Sequence, residues 1–257
     1  MYKYLLIALT ALLLLASTSL AAEPLSPAQI AQLTYDRYVG DDMQMHGTME
    51  LISEGGHIRS REFISLRKDS NAERRQLIRF TSPADIDGTA FLTIEENGSS
   101  NTEQHLYLPA LKRTRRIVAS QKARSFVNSD FTYEDMQRHP VEEWNYTLDG
   151  TETIIGHVCY ILTSTPKPGA DSKYSKLVSW IDKENFIPLK TFFFDNKGQH
   201  CKSYFVNSYK IIDNIATETE VLMEDLLSGH KTRLKTLEIK YNSGLQDSLF
   251  TTRALER

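Results

Sequence analysis

Cysteine is scarce in this chain of 257 residues: there are two, Cys159 and Cys201, and no Cys-x-x-Cys pair, which excludes a thioredoxin-type redox motif. Gly-x-Ser-x-Gly, a Walker-type phosphate loop, Gly-x-Gly-x-x-Gly and His-Glu-x-x-His are missing as well. No motif therefore points to esterase, nucleotide or zinc-peptidase chemistry. The histidines His46, His57, His105, His139, His157, His200 and His230 are scattered without ligand-like spacing. Glu134-Asp135 and Glu142-Glu143 are sequence neighbours, so in extended chain they point opposite ways, whereas paired acid–base work needs carboxyls converging at about 5–9.5 Å. A one-sided charge is also lacking. Thirty basic residues face 33 acidic ones, for a formal net charge of −3, which indicates no bulk polyanion partner such as nucleic acid. The expectation is a protein that is not an enzyme, with no catalytic residue, cofactor or metal.

The N-terminal segment reads as a leader. Lys3 supplies a positive charge, Leu5 to Ala16 is almost continuously apolar, and Ser19 and Ala21 are small residues at the −3 and −1 positions of a cleavage site. Residues 1–21 are expected to be a signal peptide and 22–257 the mature domain. The apolar run is short for a membrane span of about 20 residues, and polar Ser17-Thr18-Ser19 follows it directly. No cysteine stands after it for lipid attachment. Export implies an oxidising compartment. The two cysteines lie in strand-like runs about three strands apart, roughly 14 Å at 4.8 Å per strand, beyond the 7 Å or so a disulfide allows. Two separate, mostly buried thiols are expected.

What the chain does have is alternation. Ser26 followed by Pro27 opens a helix, with Gly40 beyond its end. From there short strand-like runs recur at 46–54, 57–68, 74–81, 89–95, 144–148, 157–163, 176–181, 187–194, 202–206, 209–212, 217–223 and 232–241, separated by turn sequences such as Gly55-Gly56, Asp149-Gly150 and Asp195-Asn196-Lys197-Gly198. Asp247-Ser248 is expected to cap a last short helix, Leu249 to Leu255. No domain boundary or low-complexity linker interrupts the pattern. The expected fold is mainly β with a few helices: one highly curved antiparallel sheet, a half-open barrel whose concave interior is either packed or left as an apolar cavity.

The most unusual stretch runs from Gln104 to Met136. His105-Leu106-Tyr107-Leu108 alternates, Pro109-Ala110 breaks the strand, and the chain returns with Arg113, Arg115 and Arg116 beside Ile117. Then come Phe126, Phe131 and Tyr133 interleaved with carboxylates, where Ser129 or Asp130 is positioned to cap a helical turn. The residues allow two readings: a charged hairpin followed by a loop pinned by buried aromatics, or a mobile apolar lid with a basic strand behind it. Phe192-Phe193-Phe194 adds aromatics on both faces of another strand.

This stretch resembles the LolA-like outer-membrane lipoprotein-sorting proteins, in the branch associated with membrane exporters. The likeness lies in Leu106 to Ala110, Arg113 to Ile117, Ser125-Phe126, Ser129 to Asp135 and the terminal Leu249 to Arg257. It implies a LolA/LolB-like sheet capped by the N-terminal helix, the Ser125–Met136 lid and the C-terminal helix. It also implies a soluble, non-lipidated periplasmic chaperone for acylated lipoprotein or lipid, with an RND-type inner-membrane exporter as donor and an outer-membrane acceptor. On this reading Leu106, Leu108, Phe126, Phe131, Tyr133, Trp144 and Phe193 form cavity and lid, and Arg113, Arg115 and Arg116 meet a head group or partner. The alternative is a periplasmic adaptor of an RND/MMPL-type exporter with no ligand of its own.

Overall fold

The computed structural model describes residues 24–256; the expected leader, residues 1–21, lies outside them. Helix α1 spans Pro27–Asp36. Ser26 Oγ accepts from the Gln29 backbone N–H, and the Gln29 side chain accepts from the Ser26 N–H at 2.8 Å, a reciprocal cap with Pro27 preset in the first turn.

Thirteen strands follow: β1 Asp42–Ile52, β2 Ile58–Asp69, β3 Glu73–Ser82, β4 Ala90–Glu96, β5 Thr102–Leu108, β6 Arg113–Arg116, β7 Trp144–Ile154, β8 His157–Pro166, β9 Lys176–Asp182, β10 Pro188–Phe194, β11 His200–Ile212, β12 Ile215–Asp225 and β13 Lys231–Tyr241. They form one antiparallel sheet in the order β6-β5-β4-β3-β2-β1-β13-β12-β11-β10-β9-β8-β7. The fold is the expected half-open barrel. Two meanders grow outward from the central β1–β13 pair, so β6 and β7 are the two edges. The chain between them, residues 117–143, must cross from one edge to the other.

Alternation sorts the two faces. On β2, Phe63, Ser65 and Arg67 point inward beside Phe80, Ile78 and Gln76 of β3. Phe91 and Leu106 join the same inner cluster, and each well-buried apolar side chain of this kind contributes about 1.5–3 kcal/mol. Gly47 makes room for the Phe63 ring beside β1, because a Cβ there would stand 2.8 Å from the Lys235 carbonyl oxygen and 3.0 Å from that ring. The residues between them, Leu77, Ala90 and Leu92, point outward and are covered by Phe250 and Leu255. The C-terminal segment thus packs on the outer face, as two short 3₁₀ turns, Asp247–Leu249 and Thr252–Glu256, rather than as an α-helix over the concavity. Asp42 pins its start: its carboxylate accepts from the N–H groups of Ser243, Gly244 and Leu245 at 2.7–2.9 Å.

Three local expectations change. β7 does not stop at Leu148; Asp149-Gly150 is a bulge against β8, and the true turn is Ile155-Gly156. The runs 202–206 and 209–212 are one strand, β11, with register shifts around Ser208 and a two-residue turn at Asp213-Asn214, both residues at positive φ. No helical turn is capped at Ser129 or Asp130, because the chain reverses there instead, with Val127 and Asn128 in the left-handed region. Cys159 and Cys201 are separate buried thiols, as expected. Burial pushes the Cys159 thiol up to about 11.

Candidate functional site

The crossing segment lies inside the concave face and divides it. Its tip, Ser125 to Thr132, is a small hairpin closed by one bridge between those residues. Phe126 is 1% exposed, its ring 5.0 Å from Phe91 and 6.2 Å from Phe80, with Tyr133 5.9 Å away at right angles. This strap fills the hollow over β1–β6 with the chain's own aromatics.

Polar groups of the sheet hold the strap's backbone and carboxylates. Inward-facing Arg61 donates to the Val127 carbonyl at 2.6 Å. Gln104 donates to the Tyr133 carbonyl at 2.7 Å. Thr232 bonds both the N–H and the carboxylate of Asp130. Lys202 of β11 lies 3.1 Å from Asp135, both nearly inaccessible, and the Tyr174 hydroxyl donates to the same carboxylate at 2.7 Å. Burial alone would raise the Asp135 pKa; Lys202 and the Tyr174 hydrogen bond hold it below the usual carboxylate range. Glu134 beside it takes hydrogen bonds from Ser172 and the Lys173 N–H, yet burial still pushes its pKa up. The tail of the strap ends at Arg138, which grips Glu95 of β4 at 2.8 Å and stacks 4.4 Å over Tyr35 of α1.

The other half of the concave face is not filled. A cavity of about 520 Å³ lies between α1, the strap and strands β8–β12. Tyrosines 35, 146, 174 and 204 give it aromatic walls with polar tips, and Arg37, Arg67, Arg74 and Arg138 stand along one side. Burial pushes the pKa of His139, in its wall, below the usual histidine value. A second chamber of about 240 Å³ adjoins it near β1, β12 and β13. The hollow is therefore neither packed solid nor purely greasy.

Of the residues singled out from sequence, Phe131 and Phe193 border the larger cavity. Leu106, Leu108, Phe126 and Tyr133 belong to the packed half. Trp144 is buried at the start of β7 against His139, ring centroids 5.2 Å apart. Arg113, Arg115 and Arg116 stand exposed on edge strand β6, Arg116 pairing with Glu103 at 3.4 Å, and none lines either chamber. Phe192 and Phe194 face outward, with Lys190 over Phe192, Lys176 over Phe194 and His200 against both rings. Arg37, Arg67, Arg74, Arg138 and Lys202 went unremarked in the sequence. For Arg67 a signal existed, since it shares the inward parity of Phe63.

Among the described residues no three His, Cys, Asp or Glu side chains cluster to hold a metal. No helix among them is long and apolar enough to cross a membrane.

A family model described as "Uncharacterized protein" matches residues 72–257. No curated protein matches the chain. The crystal structure of a DUF1329 family protein from Desulfovibrio piger is 32% identical, over 89% of this chain and 97% of that one, with a TM-score of 0.84. A domain from Vibrio parahaemolyticus, described provisionally as an outer membrane lipoprotein-sorting protein, is 29% identical over 90% and 98%, with a TM-score of 0.83. A LolA superfamily protein from Nitrosomonas europaea, 20% identical over 90% and 100%, shares the fold at a TM-score of 0.68. The chain belongs to the DUF1329 family and has the fold of the LolA superfamily protein.

Proposed function

We propose that this chain is a periplasmic carrier for acylated cargo, lipoprotein or lipid, in transit toward the outer membrane, with residues 22–257 acting as one binding domain. The observation that carries the reading is the half-filled concave face: a strap of the chain's own aromatics occupies one side, and a cavity of about 520 Å³ is left on the other. That volume falls within the roughly 300–1,000 Å³ usual for ligand pockets. The description of the Vibrio relative points the same way. Acyl burial contributes about 0.8 kcal/mol per CH₂, so one chain supplies ample affinity without any covalent step. A longer or second chain would take the place of Phe126 and Tyr133, the strap swinging out on its polar anchors. An exporter of the RND type as donor and an outer-membrane acceptor complete the route, each acting by preferring one state of the strap.

The experiment is native mass spectrometry of the mature chain purified gently from cells, with extraction of bound lipid. Co-purifying acylated species, or uptake of a fluorescent fatty acyl probe, support the carrier. A clean mass without uptake overturns it in favour of an exporter adaptor whose hollow serves only its own strap.

A further inference from the structure

We infer that the junction of the two chambers is a head-group site for a singly charged anionic amphiphile, with Arg37, Arg67 and Arg74 as its cations. The inference rests on the carrier reading and names the class of its cargo. The larger and smaller chambers share Arg37, Val39, Arg67, Phe131 and Tyr204 in their walls. On one side of that junction lie Leu162, Leu177 and Phe193, on the other Met43, Phe63 and Ile239. Apolar space thus opens in two directions from a pair of guanidinium groups, a shape suited to hydrocarbon tails joined at a polar head.

The charge count points to an anion. Arg67 and Arg74 share one carboxylate, Asp69, at 2.7 Å and 2.5 Å. Arg67 also donates to the Val39 carbonyl. Arg37 lies 3.7 Å from Glu218 and donates to the Ala216 carbonyl at 3.3 Å. Among the described residues, three guanidinium groups therefore have two carboxylates within ion-pair distance. The neighbouring Arg138 is matched by Glu95, and Asp135 is taken by Lys202. Burial disfavours the charge on Arg67, Asp69 supports it and Arg74 opposes it. One further negative charge at this place would balance the cluster, and planar guanidinium groups receive carboxylate or phosphate in paired hydrogen bonds. The exposed arginines of β6 have no such cavity beside them.

The test uses lipid-stripped mature chain and three probes with one tail: dodecanoate, dodecyl phosphate and dodecanol, each displacing a fluorescent acyl probe. Charged hydrogen bonds of about 1.5–3 kcal/mol correspond to at least tenfold tighter binding of an anionic probe than of the alcohol. Which anion leads tells a carboxylate source from a phosphate source. The advantage is expected to shrink with added salt and to vanish in Arg37→Gln/Arg74→Gln, which keeps the Arg67–Asp69 pair, while dodecanol binds as before. Equal affinity of anion and alcohol, or an advantage untouched by the double variant and by salt, overturns the head-group site and leaves the carrier reading standing. Failure of all three probes to bind removes both. Should the variant fail to fold, the salt series on the unmodified chain still decides.

Discussion

The two halves of one concave sheet face are built differently. Over β1–β6 the inner residues are Phe63, Ile78, Phe80, Phe91 and Leu106, and the strap packs rings onto them until little space remains. Over β7–β12 the inner residues include Tyr146, Ser164, Ser179, Thr191 and Tyr204, and a cavity stays open. The five side chains named for the first half carry no polar atoms and gain most by excluding water, while the polar inward groups beside them, Arg61 and Gln104, are used up on strap carbonyls. The second carries hydroxyls that a packed core would have to pair one by one. The difference teaches that the strap is docked by rings on one side and by polar anchors such as Lys202 and Tyr174 on the other, and that space persists where the wall offers hydrogen bonds rather than further hydrocarbon.

Removing one partner of a buried ion pair should have the largest effect. Lys202→Met leaves Asp135 charged and enclosed, with an expected loss of about 3–5 kcal/mol in urea unfolding, most of it regained in Lys202→Met/Asp135→Leu. A loss under about 1 kcal/mol would mean the strap is draped rather than anchored. Phe126→Ala in the filled half should cost about 3–5 kcal/mol, with faster hydrogen exchange in residues 122–140. Phe193→Ala, beside existing empty space, should cost nearer the transfer part alone, about 1.5–3 kcal/mol. If the two phenylalanines prove equal, the contrast between halves is wrong.

Acid should loosen the anchors on both faces together. Burial raises the pKa of Asp42 and of Asp135, but the N–H groups of Leu245, Ser243 and Gly244 in one case, and Lys202 with Tyr174 in the other, hold both below the usual range. A lowered folded-state pKa contributes stability that is present above the unfolded value, about 3.9, and is lost as pH falls through the folded one. The melting temperature should therefore drop below about pH 4, and Asp42→Asn should flatten part of that slope. The smallest effect is expected at the edge: Arg113→Gln with Arg115→Gln should stay within about 0.5 kcal/mol in stability and leave acyl-probe affinity unchanged.

Much of this was legible in the chain. Alternation located nearly every strand, and the interleaved Phe126, Phe131 and Tyr133 marked the segment that enters the hollow. Bulges were not legible, because Asp149-Gly150 has the composition of a turn and only the pairing with β8 shows that the strand continues. The cavity's cations were missed for a similar reason. Arg113, Arg115 and Arg116 stand out because they are adjacent in sequence, whereas Arg37, Arg67, Arg74 and Arg138 come from the exit of α1, from β2, from β3 and from the strap tail. Only the closure of the sheet gathers them. Parity alone marked Arg67 as inward, in step with Phe63 and Ser65.

Because residues 117–143 join the two free edges β6 and β7, the plug cannot diffuse away when it is displaced. On the carrier reading it would act as a tethered competitor, present at high local concentration beside the seat it had left. Any guest that needs that seat is weakened by the fraction of time the plug is home. Lengthening this one connection would shift that fraction without touching the wall of the cavity.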